Sequence, residues 1–455
     1  MRYFLSAVVL LFAAIVSAVS TTGSRLLVVA DDAADKDAYS NFFGDLEARG
    51  FDISYETPKS EGLSLFRLGE RTYDHIVFLP TSVKALGPKL TPNILIDFVN
   101  ADGNILVAQS SAHASSTSIA HFLSEVGISL PTERTGLVVD HFNYDSVSAA
   151  ETHDVLVLDA PTPVRADIAP FFSLGNDAVL ALPHTVGHTL SASQLLTPIL
   201  RAPDTAYSYN PKEQVEAVDP EELFAVGHQL VLVSAFQARN SARVTVIGSA
   251  EMLQDKWFDA KVTRAGFKKV AAANREFAKK LAAWTFQELG VLRVNSIEHS
   301  LTGDNKTNPG IYRVKNDVTY NISISEYSWD AWHPFTLPES DALQLEFSML
   351  SPFHRLDLEA VASTADATIY STSFTLPDQH GIFNFRVNYK RPLLSIVDEK
   401  NTVTVRHIAH DEWPRSFIIS GAWPWISGIG ATVTGFVSFC VLWMYSRPTP
   451  DKKTQ

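Results

Sequence analysis

The first half of the chain alternates short apolar runs with longer amphipathic stretches. Uninterrupted apolar runs occupy residues 26–30, 76–79 and 105–108. Residues 35–49 and 92–99 have helical periodicity, and Thr91-Pro92 has the chemistry of a helix start. Apolar strands that alternate with helices are typical of a parallel sheet covered on both faces. We therefore predict an α/β region over residues 24–290, with a doubly wound, largely parallel sheet.

This region contains four further strand candidates and one long helix candidate. The strand candidates are residues 137–139, 155–158, 230–233 and 244–247. Residues 268–289 place four apolar side chains on one helical face, and Gly290 follows as a C-terminal stop. Those side chains are Val270, Phe277, Leu281 and Trp284. We predict an amphipathic helix over residues 268–289.

From residue 291 the helical period disappears, and short runs of period two take its place. Turns rich in Pro, Gly and Asp separate these runs, as expected for antiparallel strands. The runs lie at residues 320–324, 343–347, 367–374, 382–389 and 403–406. We predict an all-β sandwich over residues 291–412.

One long uncharged stretch lies between Arg415 and Arg447. A helix over residues 426–445 would be about 30 Å long, which matches the hydrocarbon core of a bilayer. Trp and Tyr side chains flank it at both ends, where lipid headgroups would lie. We predict a transmembrane segment over residues 417–446. A buried core helix and a GPI-attachment signal are the alternatives, and the charged residues after the stretch count against the latter.

Small residues recur within this segment at Ser427, Ala431 and Gly435, four positions apart. This spacing clears one helix face of bulk and allows another helix to approach closely. We predict that this face packs against a partner helix. The alternative is that small residues are simply common in membrane helices.

The N-terminus has the order of features of a secretory signal peptide. Arg2 precedes an apolar run over residues 7–16, and small residues follow as far as Ser20. Residues 1–20 are predicted to be removed, with a buried helix or a membrane anchor as the alternative. The mature N-terminus would then be lumenal and the basic tail 447–455 cytosolic, which is a type I topology.

The tail ends in Lys452-Lys453-Thr454-Gln455. Lysines at the third and fourth positions from the carboxyl terminus match the dilysine signal that retrograde transport coats read on type I membrane proteins. We predict residence in the endoplasmic reticulum membrane. The alternative is an ordinary solvated tail.

The composition counts against several classes of function. The 455 residues are 46% hydrophobic and carry a formal net charge of −13. An acidic chain without a concentrated basic face is not expected to bind nucleic acid. The single cysteine, Cys440, lies in the predicted membrane segment. It can therefore supply neither an intrachain disulfide nor a thiol nucleophile outside the membrane.

The sequence contains few catalytic motifs. No Gly-x-Ser-x-Gly, Walker or Gly-x-Gly-x-x-Gly sequence occurs. Asp35 and Asp37 form the Asp-x-Asp pattern by which many nucleotide-sugar transferases hold a divalent metal. Carboxylates are, however, common in the first turn of any helix. Asp31 and Asp32 follow the first strand, where doubly wound sheets bind ligands.

Three other polar groupings have a catalytic or binding interpretation beside a structural one. His184 and His188 have metal-like spacing but no evident third ligand, so ordinary loop histidines are favoured. Asp140-His141 with Asp145 would be an acid/base pair or, by Asx-turn chemistry, a hydrogen-bonded turn, which is favoured. Residues 237–243 would form a hairpin whose arginines pair with carboxylates, or else a site for an anionic ligand.

Two sequons mark candidate N-glycosylation sites. Asn305, in Asn305-Lys306-Thr307, lies in a polar loop and is the better candidate. Asn321, in Asn321-Ile322-Ser323, lies in a predicted strand. Its modification would depend on which face of the sheet it occupies.

Five separated segments together resemble the 48-kilodalton-type subunit of the endoplasmic reticulum oligosaccharyltransferase. The segments are residues 140–145, 236–244, 290–294, 344–347 and 376–385. They occur in one order over nearly the whole chain, which is more specific than any single motif. The region 183–190 diverges from the family, which further weakens a metal site at His184 and His188.

The resemblance implies a noncatalytic subunit without a cofactor or metal of its own. In that family a separate multispanning subunit carries the reaction, in which a glycan moves from dolichyl diphosphate to asparagine. The partners implied are that subunit, the ribophorin II type, the defender-against-death type and membrane lipid. Two alternatives from other classes are a membrane-anchored metal-dependent transferase using Asp35 and Asp37, and a lectin-like lumenal binding protein.

Overall fold

The computed structural model describes residues 20–31, 36–161, 169–175, 177–210, 223–264, 267–304, 306–412 and 422–447. Residues 1–19 of the predicted signal peptide, Asp32, Asp35, Asn305, Lys452 and Lys453 lie outside these ranges, so the predictions that rest on them stay predictions.

Short strands and helices alternate in the first part of the chain. Its strands are β1 (Arg25–Val29), β2 (Asp52–Glu56), β3 (Phe66–Arg67), β4 (Glu70–Arg71), β5 (His75–Phe78), β6 (Asn104–Ala108), β7 (Ile128–Ser129), β8 (Leu137–Val139), β9 (Val155–Asp159), β10 (Val179–Pro183), β11 (Thr189–Leu190), β12 (Leu196–Arg201), β13 (Tyr207–Tyr209), β14 (Val231–Gln237), β15 (Arg243–Ile247), β16 (Lys261–Val262) and β17 (Val270–Ala271). Its helices are α1 (Ser40–Ala48), α2 (Pro92–Asn100), α3 (Thr117–Glu125), α4 (Ala169–Phe172), α5 (Asp255–Phe258) and α6 (Asn274–Thr285), with 3-10 turns at Gly227–Gln229 and Glu251–Leu253.

Seven of these strands form the central sheet, in the order β12-β14-β15-β6-β5-β1-β2. The five strands from β15 to β2 are parallel to one another. Their order is the 2-1-3-4-5 order of flavodoxin-like sheets. At the other edge, β14 and β12 are antiparallel, so the sheet is mixed where the sequence predicted a largely parallel one.

The central sheet is buried on both faces, as its continuous apolar strands predicted. Leu26 and Val28 of β1 enter one core, which helices α1 and α6 cover. Leu27 and Val29 enter the other, which α2 and α3 cover. Alternate residues of a strand point to opposite faces, and here both faces lie under helices. The strands predicted at 137–139 and 155–158 lie outside this sheet, because β8 pairs with β13 and β9 with β10.

The predicted start of the second helix is confirmed. The Thr91 hydroxyl accepts a hydrogen bond from the Ile94 amide, and Pro92 occupies the first turn. A hydroxyl acceptor and a proline satisfy or remove amides that have no partner inside the helix.

The helix predicted over residues 268–289 is wrong at its start, because α6 begins at Asn274. Val270 lies instead in β17, which pairs with β16. The Ala273 amide donates to the Val179 carbonyl, and the buried Asn274 amide group bonds both backbone groups of Ala181. These long-range hydrogen bonds replace the first turns of the helix. Gly290 is not a helix stop either, since it lies in a strand with a φ of +66°.

The second part of the chain consists of strands. They are β18 (Leu289–Leu301), β19 (Ile311–Arg313), β20 (Asp317–Ser328), β21 (Ala331–Pro334), β22 (Gln344–Met349), β23 (Ser351–Asp357), β24 (Glu359–Ser363), β25 (Thr368–Thr375), β26 (Gly381–Tyr389) and β27 (Val397–Arg406). They form two five-stranded sheets, β18-β20-β25-β24 with β21 beside β20, and β19-β27-β26-β22-β23. All pairs are antiparallel except β19 with β27.

Aromatic side chains fill the space between these two sheets. Tyr320 stacks on Phe385 with ring centroids 5.5 Å apart, and Phe347 meets Phe374 at 5.5 Å. The inward-facing residues of both sheets join the core that lies under α6. The two parts of the chain therefore share one continuous apolar core.

The last described element is α7 (Ala422–Tyr445). Within the described ranges it is the one helix long and apolar enough to cross a membrane, and none of its side chains is buried. It lies within the segment predicted over residues 417–446, of which residues 417–421 lie outside the described ranges.

Candidate functional site

The segment 140–145 is a hydrogen-bonded turn, which is the interpretation that the sequence analysis favoured over an acid/base pair. The Asp140 carboxylate accepts from the amides of Phe142 and Asn143, the Asn143 side chain and the Thr205 hydroxyl, over 2.7 to 3.2 Å. Burial opposes ionisation of Asp140, but these bonds outweigh it and hold the pKa of the carboxyl below its ordinary value. Four donors leave this carboxylate no role as a base.

His141 does not pair with Asp140. Its Nδ1 lies 2.6 Å from Nδ1 of His153, and its Nε2 lies 3.0 Å from the Tyr207 hydroxyl. Nε2 of His153 donates to the Ala150 carbonyl, so one set of neutral tautomers satisfies the whole chain of bonds. The acid/base alternative has no geometric support here.

We expect Asp140→Ala to lower the free energy of unfolding by about 2 kcal/mol, because it leaves buried donors without an acceptor. Urea unfolding of the purified full-length chain in detergent would measure this. The matched control is Glu151→Ala at a nearby exposed position. An effect no larger than that of the control would contradict the structural role of the turn.

The carboxyl edge of the parallel strands carries polar residues, as this fold predicts. Asp31 follows β1, and its carboxylate accepts from the backbone and hydroxyl of Ser82, beyond β5. Ser110, beyond β6, donates to Glu251, beyond β15. Burial raises the pKa of Glu251. Asp37 is exposed just before α1, so it lies outside these contacts.

His184 and His188 are not brought together around a metal. His188 is fully buried, donates to or accepts from the Ser234 hydroxyl at 2.7 Å, and has its pKa lowered to about 3 by burial. His184 is exposed and lies 3.5 Å from Asp154. Among the described residues, no group of three or more His, Cys, Asp or Glu side chains could hold a metal ion.

The hairpin predicted at residues 237–243 is present, because Gln237 pairs with Arg243 across β14 and β15. The prediction that its arginines pair with carboxylates is wrong for Arg243. This side chain is fully buried and donates to the backbone carbonyls of Trp284 and Leu289 at 2.6 Å and of Gly290 at 2.7 Å. Its guanidinium also lies 4.8 Å from the Trp284 ring centroid.

Arg243 therefore holds the end of α6 and the start of β18 against the central sheet. Burial lowers the pKa of its guanidinium to about 9, so it remains charged at neutral pH. A planar guanidinium presents several donors in fixed directions, which suits three carbonyls that converge on one point. An arginine in an otherwise apolar strand was the sequence signal for this role.

Further bonds join the same junction to the segment 390–396, between β26 and β27. The Trp284 indole donates to the Leu393 carbonyl at 2.8 Å, and the Ser395 amide donates to the Gly290 carbonyl at 3.0 Å. Arg49 pairs with the buried Glu288 at 2.7 Å. Sequence reasoning missed Glu288, because nothing in the local sequence distinguishes this buried glutamate from an exposed one between a helix and a strand.

Of the remaining candidates, Asn321 lies in β20 and is half-buried, between the inward-facing Tyr320 and Ile322. Ser427, Ala431 and Gly435 are exposed along α7. A Cβ added at Gly435 would meet no atom within 4 Å. This helix face is therefore unoccupied by the described part of the chain.

Comparison with protein families shows to which family the chain belongs. Residues 17–288 match the model of the OST48 N-terminal domain, and residues 299–447 match that of the OST48 middle domain. The chain belongs to the OST48 family. The Asp140 turn and Arg243 lie in the N-terminal match, whereas Leu289 and Gly290 lie in the short stretch between the two matches.

Several OST48 relatives are similar to this chain over almost their whole length. Subunit wbp1 of the dolichyl-diphosphooligosaccharide–protein glycosyltransferase of Schizosaccharomyces pombe is 32% identical over 450 residues, covering 96% of each chain. The 48 kDa subunit of that glycosyltransferase from Danio rerio is 32% identical, covering 93% of this chain and 92% of its own. The Arabidopsis thaliana 48 kDa subunit is 29% identical, covering 94% of each.

Among solved structures, the carbohydrate deacetylase Agd3 matches at a TM-score of 0.34 and 11% identity. The match covers 63% of this OST48 chain and 37% of that protein.

Proposed function

We propose that this chain is a noncatalytic scaffold subunit of the oligosaccharyltransferase complex of the endoplasmic reticulum. That complex transfers the lipid-linked oligosaccharide from dolichyl diphosphate to asparagine in Asn-x-Ser/Thr sequons. The observation that carries the proposal is the OST48 match over both parts of the chain, whose relatives are named as subunits of this glycosyltransferase.

The uses of the chain's own polar groups support a noncatalytic role. Asp140 accepts from four donors, His188 is buried against Ser234, and Arg243 donates to three backbone carbonyls. These groups stabilise the fold. In the proposal a separate multispanning subunit carries the reaction, and this chain needs no cofactor or metal.

The proposed topology is type I and single-pass. A signal peptide over residues 1–20 is removed, a doubly wound α/β region (24–290) and a β-sandwich (291–412) lie in the lumen, residues 417–446 span the membrane, and 447–455 are cytosolic. Support comes from the exposed apolar helix α7 and from the basic tail. In this arrangement α7 packs against subunits of the ribophorin II and defender-against-death types.

Purification of the tagged full-length chain in mild detergent tests the proposal. We expect the other oligosaccharyltransferase subunits to copurify in stoichiometric amounts. Gly435→Leu should reduce their recovery, because the new side chain would occupy the face offered to a neighbouring helix. Gly430→Leu is the matched control, since Gly430 lies on another face of α7 and also has open space around it.

Four outcomes would count against the proposal or its details. If the chain sediments alone, it is not a subunit of the complex and the proposed function fails. Glycosyl transfer by the isolated chain with manganese and a nucleotide sugar, lost in Asp35→Ala, would support the transferase alternative. Glycan binding by a chain without membrane partners would support the lectin-like alternative. Equal recovery of the subunits with Gly435→Leu and Gly430→Leu would contradict the predicted packing face of α7 but not the proposed function.

The proposed retrieval signal has its own test. Changing Lys452 and Lys453 to Ser in a reporter that carries only α7 and the tail should release the reporter to the cell surface. Changing the exposed Lys268 and Lys269 to Ser in the full-length chain is not expected to alter its location. Continued retention of the altered reporter would show that another signal holds the protein in the endoplasmic reticulum.

A further inference from the structure

Three exposed aliphatic side chains lie together at one end of the sheet β19-β27-β26-β22-β23. Leu350 is fully exposed, and Ile311 and Ile382 are 61% and 63% exposed. In the described part of residues 291–412, Val361 is the one other large apolar side chain that is exposed. Single exposed apolar side chains are ordinary, whereas a cluster of them marks an interaction surface.

The strand register brings these side chains to one place. Ile311 of β19 and Ile382 of β26 lie on either side of Thr404 in β27. Strand β22 pairs with β26 as far as Ser348, and two further residues bring Leu350 level with Ile382. Side chains at paired positions point to the same face of a sheet. We call the row formed by Ile311, Ile382 and Leu350 the aliphatic corner.

The leucine at position 350 contributes no packing to the fold. Leu350 is the single residue between β22 and β23, and its φ of +65° lies in the left-handed region, which favours glycine and asparagine. A leucine at this position strains the backbone and exposes its whole side chain to water. Residues held in such conformations often have a function outside the fold.

Leu68 shows that the turn alone does not define such a surface. It is also fully exposed, with a φ of +54° in the turn between β3 and β4. These two strands form a sheet of their own, and β4 consists of Glu70 and Arg71. Leu68 is therefore flanked by charged side chains, whereas Leu350 belongs to a row with two isoleucines.

The end of the sheet that carries the aliphatic corner also leads to α7. Strand β27 ends at Arg406, two residues after Thr404. The Glu412 carboxylate accepts from Arg406 and from Arg313, at the end of β19, over 2.7 Å each. Helix α7 begins at residue 422, ten positions later, which is a reach of at most about 36 Å. The opposite end of β27 is about 33 Å further away, so the aliphatic corner lies on the side of the bilayer.

The charges near the aliphatic corner favour an uncharged partner. Arg313 and Arg406 share Glu412, and Lys315 pairs with Asp378 at 2.9 Å. These basic side chains have acidic partners within the chain, so they offer no concentrated charge to an acidic peptide or to anionic lipid. A protein interface of standard size buries roughly 800 Å² on each partner, which is more than three aliphatic side chains supply. A zwitterionic lipid leaflet needs neither charge nor a large area, because single apolar side chains can enter its acyl boundary.

We propose that the aliphatic corner inserts into the lumenal leaflet of the bilayer that α7 spans, as a second membrane contact of this chain. The inference rests on the part of the proposed function in which α7 crosses the membrane. Leu350, at the tip of its hairpin, enters the acyl region, and Ile311 and Ile382 lie at the headgroup boundary. This contact holds the β-sandwich on the membrane surface beside α7.

Photocrosslinking in a defined bilayer tests this inference. The full-length chain, with the subunits that copurify with it, is reconstituted in nanodiscs of phosphatidylcholine. It carries p-benzoylphenylalanine in place of Leu350, or in place of Leu68 as the matched control. The same replacement at Val433, an exposed position of α7, reports on the membrane span itself. After irradiation and mass spectrometry, we expect lipid adducts from positions 350 and 433 and none from position 68.

A substitution at the hairpin tip provides a second readout. Leu350→Asn removes the apolar side chain but supplies a residue that tolerates the left-handed turn. With p-benzoylphenylalanine in place of Ile382, Leu350→Asn should lower the yield of lipid adduct about fivefold, because the corner loses its most exposed apolar group. Leu68→Asn should leave that yield unchanged. Equal yields with the two substitutions would overturn the role of Leu350.

The outcomes separate this inference from the proposed function. If position 433 gives a lipid adduct and position 350 gives none, or gives a polypeptide adduct, the lipid contact is wrong and the membrane span stands. Lipid adducts of equal yield from positions 350 and 68 would also overturn the contact. If neither position 433 nor position 350 gives a lipid adduct, the membrane span of the proposed function fails together with the contact. Copurification of the other subunits is scored separately and does not alter these results.

Discussion

Arg243→Met is expected to lower the free energy of unfolding by about 3 kcal/mol. The substitution keeps the apolar stem but leaves the carbonyls of Trp284, Leu289 and Gly290 without their donors. Removing a buried charge returns part of its desolvation cost, which reduces the loss. The unsatisfied carbonyls outweigh that gain, because three of them converge on a site from which water is excluded. Urea unfolding of the purified full-length chain in detergent measures the change.

Two further variants isolate the cause. Arg239→Met removes an exposed arginine from the same hairpin and should change the stability by less than about 0.5 kcal/mol. Arg243→Lys retains the charge but lacks the planar fork, so we expect it to recover only part of the loss. Full recovery with lysine would show that charge alone, and not the direction of the donors, holds the junction.

Glu288 is expected to make the stability of this protein fall as the pH rises from 5 to 8. Burial raises the pKa of this carboxyl from 4.5 to about 7, against the opposing attraction of Arg49. Between those two values the folded state binds more protons than the unfolded state, so each increase in pH favours unfolding. A shift of this size corresponds to about 3 kcal/mol, fully lost above pH 7.

Glu288→Gln tests this contribution, because the amide does not titrate. The difference in unfolding free energy between pH 5 and pH 8 should change by about 3 kcal/mol relative to the unsubstituted chain. Other carboxyls whose pKa burial raises, such as those of Glu251 and Glu326, are common to both proteins and cancel in the comparison. Glu276→Gln is the control, since Glu276 is exposed on α6. An identical pH profile for Glu288→Gln and the unsubstituted chain would contradict the assignment.

Much of the fold could be predicted from local pattern. The apolar runs of β1, β5, β6 and β15 were recognised because a strand buried on both faces needs apolar residues without alternation. The alternating strands β20, β22 and β26 were recognised because each has one face in the core. Helix α7 was recognised from length and the lack of charge. Such patterns depend on backbone geometry within a few residues.

The errors occurred where distant residues compete with local preference. Residues 268–273 have a helical pattern, but the carbonyl of Val179 and the backbone of Ala181 bind this stretch and delay the start of α6 until Asn274. The strand β12, which pairs antiparallel with β14, was missed for a similar reason. Strand direction depends on which neighbour a strand meets, and that neighbour is not encoded in its own period.

Among the candidate sites, contacts between sequence neighbours could be predicted and contacts between distant residues could not. The Asp140 turn was predictable, because Asx-type bonds join residues two or three positions apart. The partners of Arg243 lie 41 to 47 positions away, and Arg49 lies 239 positions from Glu288. No pattern within the hairpin or the helix specifies those contacts.

The sequence by itself determined the alternation of apolar strands with helices in the first part of the chain, the alternating strands of the second part, the long apolar helix near the C-terminus, the absence of a usable thiol and the resemblance to the 48-kilodalton-type subunit. Only the tertiary structure decided that Arg243 binds carbonyls, that Glu288 is buried beside Arg49, and that exposed aliphatic side chains cluster at one end of a sheet. The physical reason is distance along the chain. Periodicity and turns arise from neighbouring residues, whereas burial, pKa and the clustering of exposed side chains arise from segments that meet only when the chain has folded.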